Sequence, residues 1–594
     1  MRTNTSLAVL VGSVVVATAQ NAPTVKTING TLQGAKCSSN DVNSFLGIPY
    51  ARPPVGDLRF APPQSYNQTF DNRQATQPPP ACTQFNVAFS ERGPQSEDCL
   101  FVDVWAPIDA KSDSKLPVKV WLYGGGNEAG GISNPTYDGC TASEKVISVS
   151  INYRVGPLGF LALDSLGLQG NQGIQDQLLG LQWVQENIEA FGGDAKKVLL
   201  FGQSAGAADT FIISSLPQAP SLISAAIMQS GAGDELQTTS DALNATEAFV
   251  KALGCSVDDI ACVRAASVSA INSSSVAGSS LPQVIVDGTI IPAQPLEAGL
   301  KVPAVAGSTT DEGTLFILSQ YQASVLTLNY TDYNGFLTKT FGPLAQRVNE
   351  TYPLSNYTTS SGGPVLAAMS AVVTHSEFRC PTRRFIRQAS QDGVPVWTYS
   401  FNHTLSCPWY TIIPSYALDL LASTHTAEIP FVFNGTANMP RPNGTCSLST
   451  GEVALAAKML GAWDSMAANA NPGSDWPQYN TSSSVGVNVV GDEFTVGTVD
   501  YSMCDFWDEI QAATANGTSG GGANGTSSGS GSAPTSTAAA WSWFENSVLL
   551  LLITAGSLGT DLDSNSVTGD APNLVCGSYE ISELTPGSIL KAAL

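Results

Sequence analysis

The chain is poor in histidine, in basic residues and in long apolar runs. Only three histidines occur in 594 residues, His375, His403 and His425. Any chemistry that needs an imidazole base must therefore draw on one of three positions. Lys and Arg together number 26 against 49 Asp and Glu, a formal net charge of −23. That balance excludes charge-driven binding to nucleic acid phosphates or to an anionic membrane surface. Charged residues of both signs make up 13% of the chain, about half the usual share, so something else must solubilise the surface. Thirteen Asn-x-Ser/Thr triplets, from Asn29 to Asn524, offer N-linked sugars for that role. No apolar run reaches the ~20 residues of a membrane-spanning helix.

What is present divides the chain. Arg2, an apolar core from Leu7 to Val16 and the small-x-small site Ala17-Thr18-Ala19 read as a signal peptide over 1–19, with the mature chain starting near Gln20. Export makes disulfides the expectation for the eleven cysteines, with at least one left over. Residues 20–510 read as one large α/β domain, since strand and helix patterns alternate with no linker between them. Val118 to Tyr123, Val146 to Asn152, Val198 to Phe201 and Ala225 to Met228 are apolar, β-rich runs. Asp176 to Ala190 has helical spacing, with Gly192-Gly193 as a stop. Residues 511–540 turn Gly/Ser/Thr/Asn-rich and read as a linker. Residues 541–594 hold the apolar stretch Val548 to Ile553 and a polar tail. A polar spacer before an apolar stretch is the layout of a GPI-anchor signal, although about forty residues follow it here.

Gly202-Gln203-Ser204-Ala205-Gly206 matches the G-x-S-x-G pattern. So do two stretches of the linker, but only Ser204 follows a predicted strand and opens a helix-like segment, Ala205 to Ile213. That context predicts a nucleophile elbow. A serine hydroxyl needs a base within hydrogen-bond reach. His403 lies in the triplet Asn402-His403-Thr404 and is expected on the surface. His375 sits in a segment with helical character and is expected to be structural. His425 lies in a polar loop before the apolar run Ile429 to Phe433, the kind of place where open α/β sheets carry catalytic groups, and is the favoured base. A carboxylate must fix the tautomer of the base. Between Ser204 and His425 the chain offers Glu312, with Asp311 as its rival; both follow the apolar run Val302 to Ala306. Spacing does not choose between them. Gly124-Gly125-Gly126 follows a predicted strand. Its N–H groups, with that of Ala205, could form a three-donor oxyanion hole.

These residues resemble the type-B carboxylesterase, cholinesterase and secreted lipase family of the α/β-hydrolase superfamily, over nearly all of residues 25–510. The resemblance rests on Phe45-Leu46-Gly47-Ile48-Pro49-Tyr50-Ala51 with Gly56-Asp57-Leu58-Arg59-Phe60, and on Ser96-Glu97-Asp98-Cys99-Leu100. Asn152-Tyr153-Arg154, Gly170-Asn171-Gln172-Gly173, Gln229-Ser230-Gly231 and Trp476-Pro477 also fit. It implies an α/β-hydrolase fold: a large, mostly parallel central sheet flanked by helices, with loop and helical insertions. It implies Ser204 as nucleophile, Glu312 rather than Asp311 as acid, His425 as base, and Gly125, Gly126 and Ala205 as oxyanion donors. It further implies disulfides Cys82–Cys99, Cys255–Cys262 and Cys380–Cys504, and a structural ion pair Arg59–Glu97. Cys407–Cys446 is a guess, and Cys37, Cys140 and Cys576 are left unassigned. The expected reaction is hydrolysis of small-molecule or lipid esters by a secreted enzyme with no metal and no cofactor. The family also holds non-catalytic adhesion or scaffold members, which typically lack a triad residue; all three are present here. Three positions depart from the family pattern. Gln203 stands where Glu is frequent, Asn127 where an aromatic is common, and Asp209 where Ser is usual.

Overall fold

A computed structural model describes residues 22–519, apart from 39, 86–90, 92, 234, 277–282, 359, 361, 412 and 414–416. The segments read as signal peptide, as apolar stretch with polar tail, and most of the linker lie outside the described residues.

An eleven-stranded sheet forms the centre. In chain order its strands are β1 (Ala35–Lys36), β2 (Val42–Pro49), β3 (Phe101–Pro107), β4 (Leu116–Leu122), β5 (Ile147–Ile151), β6 (Gly193–Gln203), β7 (Ala225–Gln229), β8 (Ala304–Thr309), β9 (Val396–Asn402), β10 (Val485–Val490) and β11 (Glu493–Thr498). Across the sheet the order is β11-β10-β9-β8-β7-β6-β4-β5-β3-β2-β1. Seven neighbours from β5 to β10 pair in parallel, and antiparallel strands close both edges. Strands covered by helices on both faces must be apolar on both faces. Ile147–Ile151 and Ala225–Gln229 are buried at every position, as is Val198 to Gln203 within β6.

The main helices follow from the same pattern. Helix α1 (Gln172–Asn187) ends in a short 3-10 turn and left-handed Gly192, the stop read from the sequence. Helix α2 (Ala205–Ser215) starts directly behind Ser204. Helix α3 (Gly313–Tyr321) starts directly behind Glu312. Helix α4 (Thr450–Asn469) opens on a capping box between Ser449 and Glu452. Helix α5 (Cys504–Ser519) runs on into residues 511–519, which had been read as the start of the linker. The correction has a local cause: Gln511-Ala512-Ala513-Thr514-Ala515 is rich in good helix formers and extends the turn begun at Cys504.

Five disulfides tie the fold: Cys37–Cys140, Cys82–Cys99, Cys255–Cys262, Cys380–Cys504 and Cys407–Cys446. Cys576 lies outside the described residues. Arg59 and Glu97 form a part-buried ion pair, and Arg59 Nη1 also donates to the carbonyls of Arg264 (2.8 Å) and Ala266 (2.6 Å). Among the described residues no helix is long and apolar enough to cross a membrane.

Candidate functional site

Three loops at the C-terminal ends of β6, β8 and β9 meet. The first is the turn at Ser204, which has φ 58° and ψ −126°, a left-handed-side conformation that a non-glycine residue adopts only under constraint. The flanking glycines explain how the turn closes. A Cβ on Gly202 would run into the carbonyl of Gly206, and one on Gly206 into the carbonyl of Leu122. The Ser204 N–H is held by the carbonyl of Gln229 at 2.8 Å. The side chain is 6% exposed.

The second and third loops are laced together by main chain. Asp311 and Thr424 form an isolated parallel bridge, in which Asp311 N–H donates to the Ser423 carbonyl at 3.1 Å. Thr424 Oγ1 also accepts from Leu315 N–H at 2.9 Å. One residue beyond each bridge partner come Glu312 and His425, and Glu312 Oε2 lies 2.5 Å from His425 Nδ1. Glu312 Oε1 accepts from Thr309 N–H at 2.6 Å. The Glu312 carboxyl is fully buried. Burial pushes its pKa up, but His425, the Ser230 hydroxyl and the Thr309 N–H outweigh it, and the net direction is below the ordinary carboxylate value. Asp311, the rival, turns its side chain to Thr310 Oγ1 at 2.8 Å instead.

His425 is 3% exposed. The rings of Phe316 and Phe378 flank it at 5.0 and 4.8 Å between centroids. Gln203 Nε2 lies 3.1 Å from its Nε2 and 3.4 Å from its Nδ1. An atom so near both nitrogens cannot sit on the lone-pair axis of each. Ser204 Oγ makes no hydrogen bond to His425 in this conformation; contacts of this kind are often long before substrate binds.

The glycine loop faces the elbow. A Cβ on Gly124 would meet the Gln203 carbonyl and the Ser204 Cβ, so the close approach requires glycine. Gly125, Gly126 and Asn127 are all left-handed, with φ 122°, 68° and 58°. Among the described residues the N–H groups of Gly125, Gly126 and Ala205 have no protein acceptor.

The other histidines stand apart. His403 was expected on the surface and is instead buried, with Nε2 2.9 Å from Glu452 Oε1. Asn402, the last residue of β9, is exposed, while His403 just beyond the strand is held inside by Glu452, at the cap of α4. The Glu452 carboxyl is pushed up by burial but pulled further down, to about 2, by His403, Ser406 and Ser449. His375 lies in a π-helical turn and meets Tyr352 Oη at 3.0 Å; burial and then Arg379 lower its pKa to about 4.

Sequence reasoning missed Glu428, three residues beyond His425. It is fully buried, accepts from Gln229 Nε2 at 3.1 Å, and is pushed up to about 8 by burial and then by the charge of Glu312. No sequence signal marks it, because its partner lies 199 residues away.

A parallel sheet with a strained strand–serine–helix turn, and an acid and a histidine on the loops that follow later strands, is the arrangement of an α/β-hydrolase. The profile of the carboxylesterase family matches residues 21–507. The chain is 32% identical to the fumonisin B1 esterase of Sphingopyxis macrogoltabida, covering 76% of this chain and 84% of that one. It is 32% identical to the para-nitrobenzyl esterase of Bacillus subtilis (77% and 92% covered) and 35% identical to the cholinesterase of Mus musculus (66% and 70%). The chain belongs to the carboxylesterase family. It is a serine carboxylic ester hydrolase, and its substrates are small-molecule esters.

Proposed function

We propose that the chain is a secreted enzyme that cleaves neutral carboxylic esters through an acyl intermediate on Ser204. The observation that carries the reading is the buried Glu312–His425 contact at 2.5 Å beside the strained turn at Ser204. Glu312 accepts a hydrogen bond from Nδ1–H, which leaves the Nε2 lone pair of His425 to take the serine proton. Ser204 Oγ attacks the ester carbonyl. The N–H groups of Gly125, Gly126 and Ala205 receive the oxyanion, at the N-terminus of an eleven-residue helix whose dipole favours negative charge there. His425 then returns its proton to the departing alcohol. Water, deprotonated by the same histidine, attacks the acyl-serine; His425 returns that proton to Ser204 Oγ as the acyl bond breaks, and the carboxylic acid leaves. Phe316 and Phe378 keep bulk water from the imidazole.

Secretion is supported by ten bridged cysteines, which persist in an oxidising compartment. It is supported too by exposed acceptor asparagines at 67, 244, 329, 356, 402, 443 and 480. The sequence of 541–594 supports attachment by a C-terminal lipid anchor; release from cells by a phosphatidylinositol-specific phospholipase is the expected behaviour. The catalytic reading is tested with a fluorophosphonate probe. The probe should label Ser204, and Ser204→Ala should abolish labelling and cut turnover by ~10⁴-fold or more in a folded protein. Labelling of a different residue, or turnover that survives the substitution, would reject it.

A further inference from the structure

Two positions that depart from the family pattern, Asn127 and Asp209, lie 82 residues apart and touch. Asn127 Nδ2 donates to Asp209 Oδ1 at 3.0 Å, and Gln177 Nε2, on α1, donates to Asp209 Oδ2 at 2.5 Å. All three side chains are buried. Their placement relates directly to the donors. Asn127 is the residue after Gly126. Asp209 is four residues after Ala205 and so lies one helical turn along the same face of α2. The hydrogen bond therefore joins the two separate pieces of chain that carry the oxyanion donors, through the residues next in line behind them. A second contact fixes the same turn, since the Asn127 carbonyl accepts from Gly156 N–H at 2.6 Å. The backbone explains why asparagine is suited here. The position needs φ 58°, which Asn tolerates better than other side chains of its reach.

We propose that Asn127 and Asp209 are positioning residues that hold the N–H groups of Gly125 and Gly126 in register with that of Ala205, and so set the depth of the oxyanion hole. This rests on the acyl-serine reading given above. The link is a directional bond between buried polar groups, and leaving either partner alone strands a buried polar group. Donors preorganised for the oxyanion act mainly on the transition state, so loosening them should lower kcat and leave KM nearly unchanged.

The test uses the full chain and a neutral p-nitrophenyl ester, with a trifluoromethyl ketone as a probe of the tetrahedral adduct. Asn127→Ala and Asp209→Ser should each lower kcat by roughly 10- to 100-fold, with KM changed by less than about threefold. Each should weaken the ketone by a similar factor. The double variant should be no worse than the poorer single variant, because both cut the Asn127–Asp209 bond and Asp209→Ser alone also frees Gln177. Asp209→Asn is the rescue. Asn127 Oδ1 has no partner among the described residues, so the Asn127 amide can reverse and accept from the new amide. This variant should keep most of the wild-type kcat and ketone affinity. Unchanged kcat in Asn127→Ala, multiplicative losses in the double variant, or a loss confined to KM would overturn the proposal. If Asp209→Ser does not fold, Asn127→Ala and Asp209→Asn decide it by the same readouts. Failure of the underlying reading is distinguishable, because then the fluorophosphonate would not label Ser204 of the wild type. Labelling at Ser204 with unaffected tether variants rejects this inference alone.

Discussion

Replacing Glu312 by Gln changes one atom and should nearly silence the enzyme, for a reason fixed by Thr309. Oε1 of Glu312 takes the Thr309 N–H at 2.6 Å and Oε2 faces His425 Nδ1 at 2.5 Å. A glutamine has one acceptor oxygen. Placed toward Thr309 it keeps that buried bond; reversed, it sets N–H against N–H and leaves a buried donor unpaired, at a cost of ~1–3 kcal/mol. The amide nitrogen must therefore face Nδ1. Nδ1 then has to accept, and the imidazole proton moves to Nε2, the nitrogen that should take the serine proton. A wrong tautomer of this kind costs about 10⁴-fold in kcat in a related constellation, or about 5 kcal/mol of barrier. Asp311→Asn is the control. Asp311 contributes its main chain to the bridge with Thr424, and its side chain accepts from Thr310 Oγ1 rather than facing His425. Its loss should stay within about threefold, less than ~0.7 kcal/mol. The assay is kcat/KM for p-nitrophenyl butyrate, with circular dichroism and Tm to establish folding. A folded Glu312→Gln enzyme retaining more than about a tenth of wild-type kcat/KM would refute the reasoning, as would Asp311→Asn being the more damaged.

Glu428→Gln should alter stability in a pH-dependent way. The carboxyl is pushed up to about 8, so the native state holds a proton that the unfolded chain has released between roughly pH 4.5 and 8, and stability falls as pH rises through that window. The amide carries no such penalty. The variant's Tm should therefore match the wild type near pH 5 and exceed it near pH 9, and an equal difference at both values would refute the assignment. Cys82–Cys99 spans a sequence separation of 17, for which chain entropy gives about 3 kcal/mol. The double Cys→Ser variant should lose about that much in chemical denaturation, and no loss would count against the bridge. Choline esters should be poorer substrates than neutral esters of the same acid. The stretch from Cys82 to Cys99 contains no Trp or Tyr to face a quaternary ammonium, Phe85 is packed against Phe60 and Leu158, and Gln203 brings no charge beside Ser204. A kcat/KM for butyrylthiocholine above that of a neutral butyryl thioester would refute it.

The elbow was legible because its signals are local: an apolar strand, two glycines that a Cβ would block, and a helix behind them. Spacing did not choose between Asp311 and Glu312, because neighbours in a turn carry the same chemistry; only the family resemblance favoured Glu312. The choice depends on the bridge from Asp311 to Thr424, a contact more than a hundred residues long in sequence. His403 was misread because an acceptor triplet says only that Asn402 is outside; a contact with Glu452, 49 residues away, holds the next residue inside. Cys37–Cys140 closes over 103 residues with no spacing signal. Asn127 and Asp209 could each be flagged as unusual, but their contact is a property of the folded chain.

The buried acids around the site bear on how the transition state is stabilised. Glu312 and Glu428 influence one another, and their environments drive them apart: Glu312 goes down because His425, the Ser230 hydroxyl and Thr309 N–H favour its charge, and Glu428 goes up because burial and Glu312 disfavour a second charge. At neutral pH the pair thus presents one anion to the imidazole, on the Nδ1 side, where it stabilises the imidazolium without lying beside the forming oxyanion. Gln203, adjacent to Ser204, reaches His425 with a neutral amide where a carboxylate would add charge. A charge there would oppose the oxyanion in a low-dielectric site, where Coulomb interactions are strong. Neutral Gln203 and protonated Glu428 act in the same direction, since neither adds a second carboxylate charge to that of Glu312 near His425. Deprotonating Glu428 above pH 8 sets a second buried charge against that of Glu312, the arrangement that burial and Glu312 disfavour.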